Sequence, residues 1–195
     1  MSIVLTLALF QLYSVVLDNQ FVRVTRDAAP CATAAADRCG DRVIVALSPV
    51  ELTQGSRNRK LSRGDIAVFV AGDTYQAPTS GHYFEVAFKP NHPEVPAPAQ
   101  SIPAAKNTAL YDGARLFIFE EKLPVGDTRA KHSHGPRVVI QLNRTRLQQW
   151  VEGGSEVIRD IVPDTATFNA PVIHTVKNVG ELPLRGVVIE IKPAK

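Results

Sequence analysis

Three histidines carry most of the chemistry this sequence can offer. His132 and His134 are separated by one residue, and His174 follows about forty residues later. On a strand, residues i and i+2 point to the same face, so His132 and His134 can both reach one point inside a barrel. Three neutral imidazoles with coordination positions left over form a ligand set for a divalent transition metal: Fe, Mn, Ni, Cu or Zn. Such a metal would act as a Lewis acid or redox centre, with substrate and either O₂ or water in the open positions. A single histidine is more often a surface or structural residue. His82 and His92, beside Gly81 and Pro93 in turns, fit that description.

Other polar residues are candidates for a pocket around the metal. Glu120 and Glu121 end a strand, and one of them could face the barrel mouth as a general base. Arg129, Arg144, Arg146 and Trp150 could line a pocket for an anionic substrate or decorate a loop. Gln141 has the opposite strand parity to Val138, Ile140 and Leu142, so with that set in the core Gln141 is expected to face out. The sequence holds no Ser-His-Asp arrangement, phosphate-binding glycine loop or paired carboxylates that would support a hydrolase or a nucleotide enzyme.

The elements that must position these residues are strands. Fourteen prolines and twelve glycines punctuate short apolar runs rich in Val, Ile and Phe. The chain also repeats itself. Arg42-Val43-Ile44-Val45-Ala46-Leu47 matches Arg137-Val138-Val139-Ile140-Gln141-Leu142 at an offset of 95, which also carries Gly40 onto Gly135, Leu52 onto Leu147 and Phe21–Val24 onto Leu116–Phe119. Gly64–Phe69 falls beside Pro163–Phe168 at an offset of 99, and Phe84–Lys89 aligns with Val187–Lys192 after a further insertion. An offset that grows along the chain is what loop insertions produce, because loops tolerate length changes and ladders do not. Five prolines between Lys89 and Asn107 mark a linker. The expected plan is all-β: two tandem jelly-roll barrels formed by an internal duplication, over residues 15–90 and 108–195, joined by a linker over 91–107.

The motif residues resemble those of the cupin superfamily. Its first motif runs Gly, five residues, His-x-His, and here Gly126, His132 and His134 stand at that spacing; its second motif ends His-x-x-x-Asn, matched by His174 and Asn178. The resemblance implies a two-barrel cupin, with metal ligands only in the C-terminal barrel. Two departures stand out. The motif glutamate would fall at Val138 or Val139, so the usual carboxylate ligand is missing, and Asn169-Ala170-Pro171 replaces the Pro-x-Gly turn. A three-histidine set is similar to that of the thiol dioxygenase branch. In the N-terminal half the same offsets put Asp37, Cys39 and Tyr75 where the histidines would be, which reads as a barrel kept for packing. The resemblance therefore implies a metal-dependent dioxygenase or isomerase acting on a small polar or anionic molecule, with a non-catalytic small-molecule-binding or scaffold protein as the alternative. Cupins often pair through barrel edges, so a homodimer is compatible with it.

A net charge of +3, with no basic run interleaved with exposed aromatics, gives no basis for nucleic-acid binding. The apolar run Ile3–Phe10 is too short to span a bilayer, and no basic residue precedes it. Residues 1–14 read as a degraded export signal or a loose terminus. Cys31 and Cys39, eight residues apart, match neither a CxxC nor a zinc-ribbon spacing. They would form a local disulfide in an exported protein and stay free thiols in a cytosolic one, and the pair tips the expectation towards a periplasmic or secreted protein.

Overall fold

The structure is a computed structural model, and it describes residues 14–33, 39–96 and 107–193. The N-terminal segment up to Tyr13, where an export signal was considered, and Asp37 lie outside the described residues. Among the described residues there are sixteen strands and no helix.

The N-terminal half contributes β1 (Ser14–Asp18), β2 (Val22–Arg26), β3 (Arg42–Ala46), β4 (Val50–Gln54), β5 (Arg57–Leu61), β6 (Ile66–Phe69) and β7 (Tyr83–Phe88). They form a five-stranded sheet in the order β1-β2-β7-β3-β6 and a β4-β5 hairpin. The C-terminal half contributes β8 (Asn107–Asp112), β9 (Leu116–Leu123), β10 (Thr128–His134), β11 (Arg137–Gln141), β12 (Thr145–Val151), β13 (Glu156–Ile161), β14 (Thr165–Asn169), β15 (Val172–Asn178) and β16 (Leu184–Ile191). Its five-stranded sheet, read as β8-β9-β16-β11-β14, has the strand order of the first sheet element for element. Opposite it lies a second sheet, β10-β15-β12-β13. All pairings are antiparallel, and the architecture is a tandem pair of jelly-roll units.

Ladder register corrects one step of the sequence alignment. Arg42 pairs with Phe69 whereas Arg137 pairs with Asn169, so Phe69 corresponds to Asn169 and Val68 to Phe168. The offset there is 100 rather than 99. Both halves have a Phe within this stretch, and matching Phe to Phe slips the register by one residue, which exchanges the two faces of the strand.

The largest apolar cluster lies between the two five-stranded sheets and not inside either barrel. Val22, Val24, Val43, Val45, Phe84, Val86 and Phe88 from one sheet meet Leu116, Ile118, Val138, Ile140, Leu142, Val187, Ile189 and Ile191 from the other, nearly all of them fully buried. Burying a Val or Ile side chain is worth about 1.5–3 kcal/mol, so this seam is a principal source of stability. Around it, Phe21 stacks on Phe168 at 5.2 Å. Arg63 donates to the carbonyls of Leu47 and Leu142, one from each half, and pairs with Asp164 at 2.6 Å. A strand buried on both faces reads as a continuous apolar run, which is why β3 and β11 lack a clean alternation.

This arrangement reverses the expectation for Gln141. Val138, Ile140 and Leu142 do face a core, but it is the seam between the halves; the opposite face, with Arg137, Val139 and Gln141, points into the C-terminal barrel.

Candidate metal centre and cavity

His132 and His134 share a face of β10, and His132 is the direct cross-strand partner of His174 on β15. A bulge in β10 between Arg129 and His132 places one extra residue opposite β15. It leaves Ala130 and Lys131 exposed in succession and turns Arg129 to the same inner side as the histidines, although a spacing of three would put it on the other face of a regular strand. Gly126, in the turn that launches β10, has a φ of +81° that an L side chain would strain. Asn178 holds the far end of β15. Its amide donates to the carbonyls of Leu123 and Leu182, both at 2.9 Å, and its oxygen accepts from Thr145 at 2.7 Å.

All three histidines are at least 95% buried, and their ligand atoms lie within 4.8 Å of one another. Nε2 of His132 is 3.0 Å from Nε2 of His134 and 3.1 Å from Nε2 of His174. The outer ring nitrogens are anchored. Nδ1 of His132 lies 2.7 Å from the Ala130 carbonyl, and Nδ1 of His134 lies 2.5 Å from Glu190. The Gln149 amide sits 3.4 Å from Nδ1 of His174. A carbonyl only accepts, so His132 carries its proton on Nδ1 and aims the Nε2 lone pair inward. With Glu190 ionised, His134 does the same.

Two lone pairs facing each other at 3.0 Å repel unless a cation lies between them. Burial depresses the pKa of all three rings, His134 to about 3 and His174 to about 2, so an imidazolium does not supply that cation near neutrality. A metal ion does fit. With metal–nitrogen bonds of about 2.1 Å, ligands at right angles stand about 3.0 Å apart. Burial pushes Glu190 up to about 7, against the pull of Arg137 and His132.

Beside the cluster opens a cavity of about 520 Å³. Its lining is mixed: Val139, Leu147, Val151, Val176 and Val188 are apolar, and Arg137, Gln141, Thr165, Thr167 and Asn169 are polar. Arg159, Asp160 and Val162 stand at its exposed rim.

The other sequence candidates are dispersed. Glu120 shares the parity of Ile118, so it lies on the seam side of β9 and pairs with Lys122 and Arg185. Its neighbour Glu121 is the inward one, where it pairs with Arg129 beneath the histidines. Arg146 pairs with the exposed Asp160 at 2.7 Å, and Trp150 donates to Glu156 at 2.9 Å. Both sit on the outer face of β12, because Leu147, Gln149 and Val151 take the inner one. Sequence reasoning passed over Glu190 and Arg137. The signal for Glu190 was present: an acidic residue between Ile189 and Ile191 in an otherwise apolar strand.

The N-terminal half has no counterpart of β10 and β15 among the described residues. Cys31 and Cys39 are joined by a disulfide that packs on Ala87. Ala87 pairs with Arg42 as Glu190 pairs with Arg137. Tyr75 stacks on Phe69 at 4.0 Å and donates to the buried Glu85.

No family model matches the sequence, and no curated protein does. Solved structures do. Streptomyces albus HEPD, with 2-hydroxyethylphosphonate and Fe(II) bound, superimposes with a TM-score of 0.63 at 8% identity, over 93% of this chain and 70% of that one. The cupin 2 conserved barrel domain protein from Leptotrichia buccalis gives 0.57 at 16% identity, over 92% and 88%. AerE from Microcystis aeruginosa gives 0.59 at 14% identity, over 88% and 87%. This is the cupin fold. Among the described residues, the histidine cluster of the C-terminal cupin unit is the one group of His, Cys, Asp or Glu side chains placed to hold a metal ion.

Proposed function

We propose that the C-terminal cupin unit binds a divalent transition metal through Nε2 of His132, His134 and His174 and uses it on a small polar or anionic molecule held in the adjoining cavity. The carrying observation is the convergence of three buried Nε2 atoms, two pairs of them 3.0 and 3.1 Å apart. When bound, the metal supplies a Lewis-acid or redox centre suited to dioxygenase-like or isomerase chemistry. The chain's own residues orient and enclose. Glu190 and the Ala130 carbonyl fix two of the rings, and the apolar part of the lining limits water around the reacting molecule. Fe(II) and a small phosphonate in the HEPD structure support this reading.

Under the same proposal the chain divides into an N-terminal unit over 15–90 without metal ligands, a linker over 91–107 and the metal-bearing unit over 108–195, arisen by duplication. The shared strand order supports this, as does the pair Arg42 and Arg137. Each donates to the carbonyl of a glycine two residues earlier and to the residue just after the neighbouring strand, Val70 or Ala170. The disulfide supports an oxidising compartment and hence export. A homodimer would form at the free edges of β1, β8 or β13.

A non-catalytic binding module is the second reading. One observation favours it: the two inward carboxylates near the metal are both engaged, Glu121 by Arg129 and Glu190 by His134, so no general base stands ready. Metal analysis of purified protein tests the site. About one equivalent of metal is expected, falling to background in a His132→Ala/His134→Ala variant; wild-type protein free of metal after reconstitution would overturn the proposal. Oxygen consumption by the loaded protein with thiols, diols and keto acids then separates enzyme from binding module.

A further inference from the structure

Arg137 is a buried cation lining the cavity; among the described residues no carboxylate lies within 4.0 Å of it, and Glu190 and Glu121 act on it only from farther off. Its side chain is fixed through one nitrogen only. Nη1 donates to the carbonyls of Gly135 at 3.2 Å and Ala170 at 3.0 Å, which uses both of its hydrogens. Among the described residues Nε and Nη2 make no hydrogen bond, and the side chain lines the cavity.

The matching arginine shows what a purely structural version looks like. Arg42 makes the same two kinds of bond through Nη1, adds a third from Nη2 to the Asp73 carbonyl, and lies over the Tyr75 ring at 6.0 Å. Its remaining nitrogen, Nε, is sealed in the interior. The C-terminal unit keeps the strap and omits the closure. What it leaves open is the Nε–Nη2 edge, the two parallel donors that match two oxygens of a carboxylate or phosphonate.

We infer that Arg137 is the anchor for the oxyanion of the bound molecule, so that the cavity takes a small aliphatic acid. This rests on the metal-site reading for its orientation: Arg137 pairs in the ladder with Glu190, whose carboxylate contacts His134, so an acid held there lies beside the histidine cluster. Asn169, the cross-strand partner of Arg137 on its other side, lines the same cavity and supplies a polar contact for the rest of the molecule. The volume of about 520 Å³ suits a small ligand.

The test is calorimetric binding of lactate and of methylphosphonate to full-length protein, metal-loaded and metal-free, with metal content measured in parallel. Wild type should bind at least one of the two acids and ignore the neutral amide of lactate. Arg137→Lys keeps a cation and a donor for the strap but loses the fork, and should weaken binding roughly 10- to 100-fold at unchanged metal content. Should that variant fail to fold, Asn169→Ala reports on the same pocket and should weaken binding several-fold. Arg42→Lys, in the other unit, should leave affinity unchanged. Preference for lactate or methylphosphonate assigns the acid as carboxylate or phosphonate. Neutral amide binding as well as the acids, or Arg137→Lys binding as wild type does, overturns the inference. Wild-type protein that takes up no metal but still binds the acid through Arg137 would sink the metal reading and leave the anchor standing.

Discussion

The two units share a strand order and a strapped arginine, yet positions that line a cavity in one are packed against neighbours in the other. Where His134 and Glu190 meet in the C-terminal unit, the N-terminal unit has a disulfide packed on Ala87. Where Asn169 lines the cavity, its counterpart Phe69 stacks on Tyr75. The polar groups that remain there, Glu85 and Tyr75, bond to each other and to the Cys31 amide. Burial raises both of their pKa values, against the pull of Arg42. A jelly roll can thus be built around a cluster of buried polar side chains or around a packed plug. The seam between the sheets does not distinguish the two, since each contributes an apolar face of similar make-up.

The strongest way to sharpen this contrast is to cut at the seam. Ile140→Ala should cost about 2–4 kcal/mol and lower both units' melting together in one calorimetric transition; two separated transitions would show that the units do not share a core. Replacing both Cys31 and Cys39 by Ser should cost roughly 2.5 kcal/mol, from the short loop the bond closes, with no change in metal content. A loss of metal in that variant would mean that the plug supports the distant site. Glu190→Gln removes the carboxylate behind His134 and should weaken metal affinity about 10- to 100-fold, measured by competition with a chelator, while leaving the fold intact.

The smallest effect is in the pH response of metal-free protein. The folded pKa values of His134 and His174 lie below their unfolded value, so the unfolded chain binds more protons below about pH 6.5 and stability falls as the medium is acidified through that range. Glu190, raised to about 7, acts in the opposite sense between about pH 4.5 and 7 and offsets one of the two histidines. The net expectation is a melting temperature that drops from pH 6.5 to 4.5. A flat profile would mean that the rings are not buried neutral, and saturating metal should hold the temperature up.

The sequence made the strands, the repeat and the three histidines legible, because side-chain period and motif spacing are local properties. It was poor at telling which apolar face belonged to which core. Val138, Ile140 and Leu142 look like a barrel lining, but a second sheet outside the barrel claims them, and Gln141 is turned inward as a result. Arg129 was among the candidates, but its inward direction was not legible, since a bulge resets strand parity and no residue type announces it. Glu120 and Glu121 were both visible, and only the register of β9 against β16 says which one looks in.

The seam also constrains how the protein can be dissected. A C-terminal fragment beginning near Asn107 would keep His132, His134 and His174, yet it would expose Leu116, Ile118, Val138, Ile140, Val187, Ile189 and Ile191 as one continuous greasy sheet. Such a surface invites precipitation or pairing with a second fragment. The N-terminal unit therefore serves its neighbour as a permanent built-in chaperone, and it cannot be discarded without uncovering that sheet.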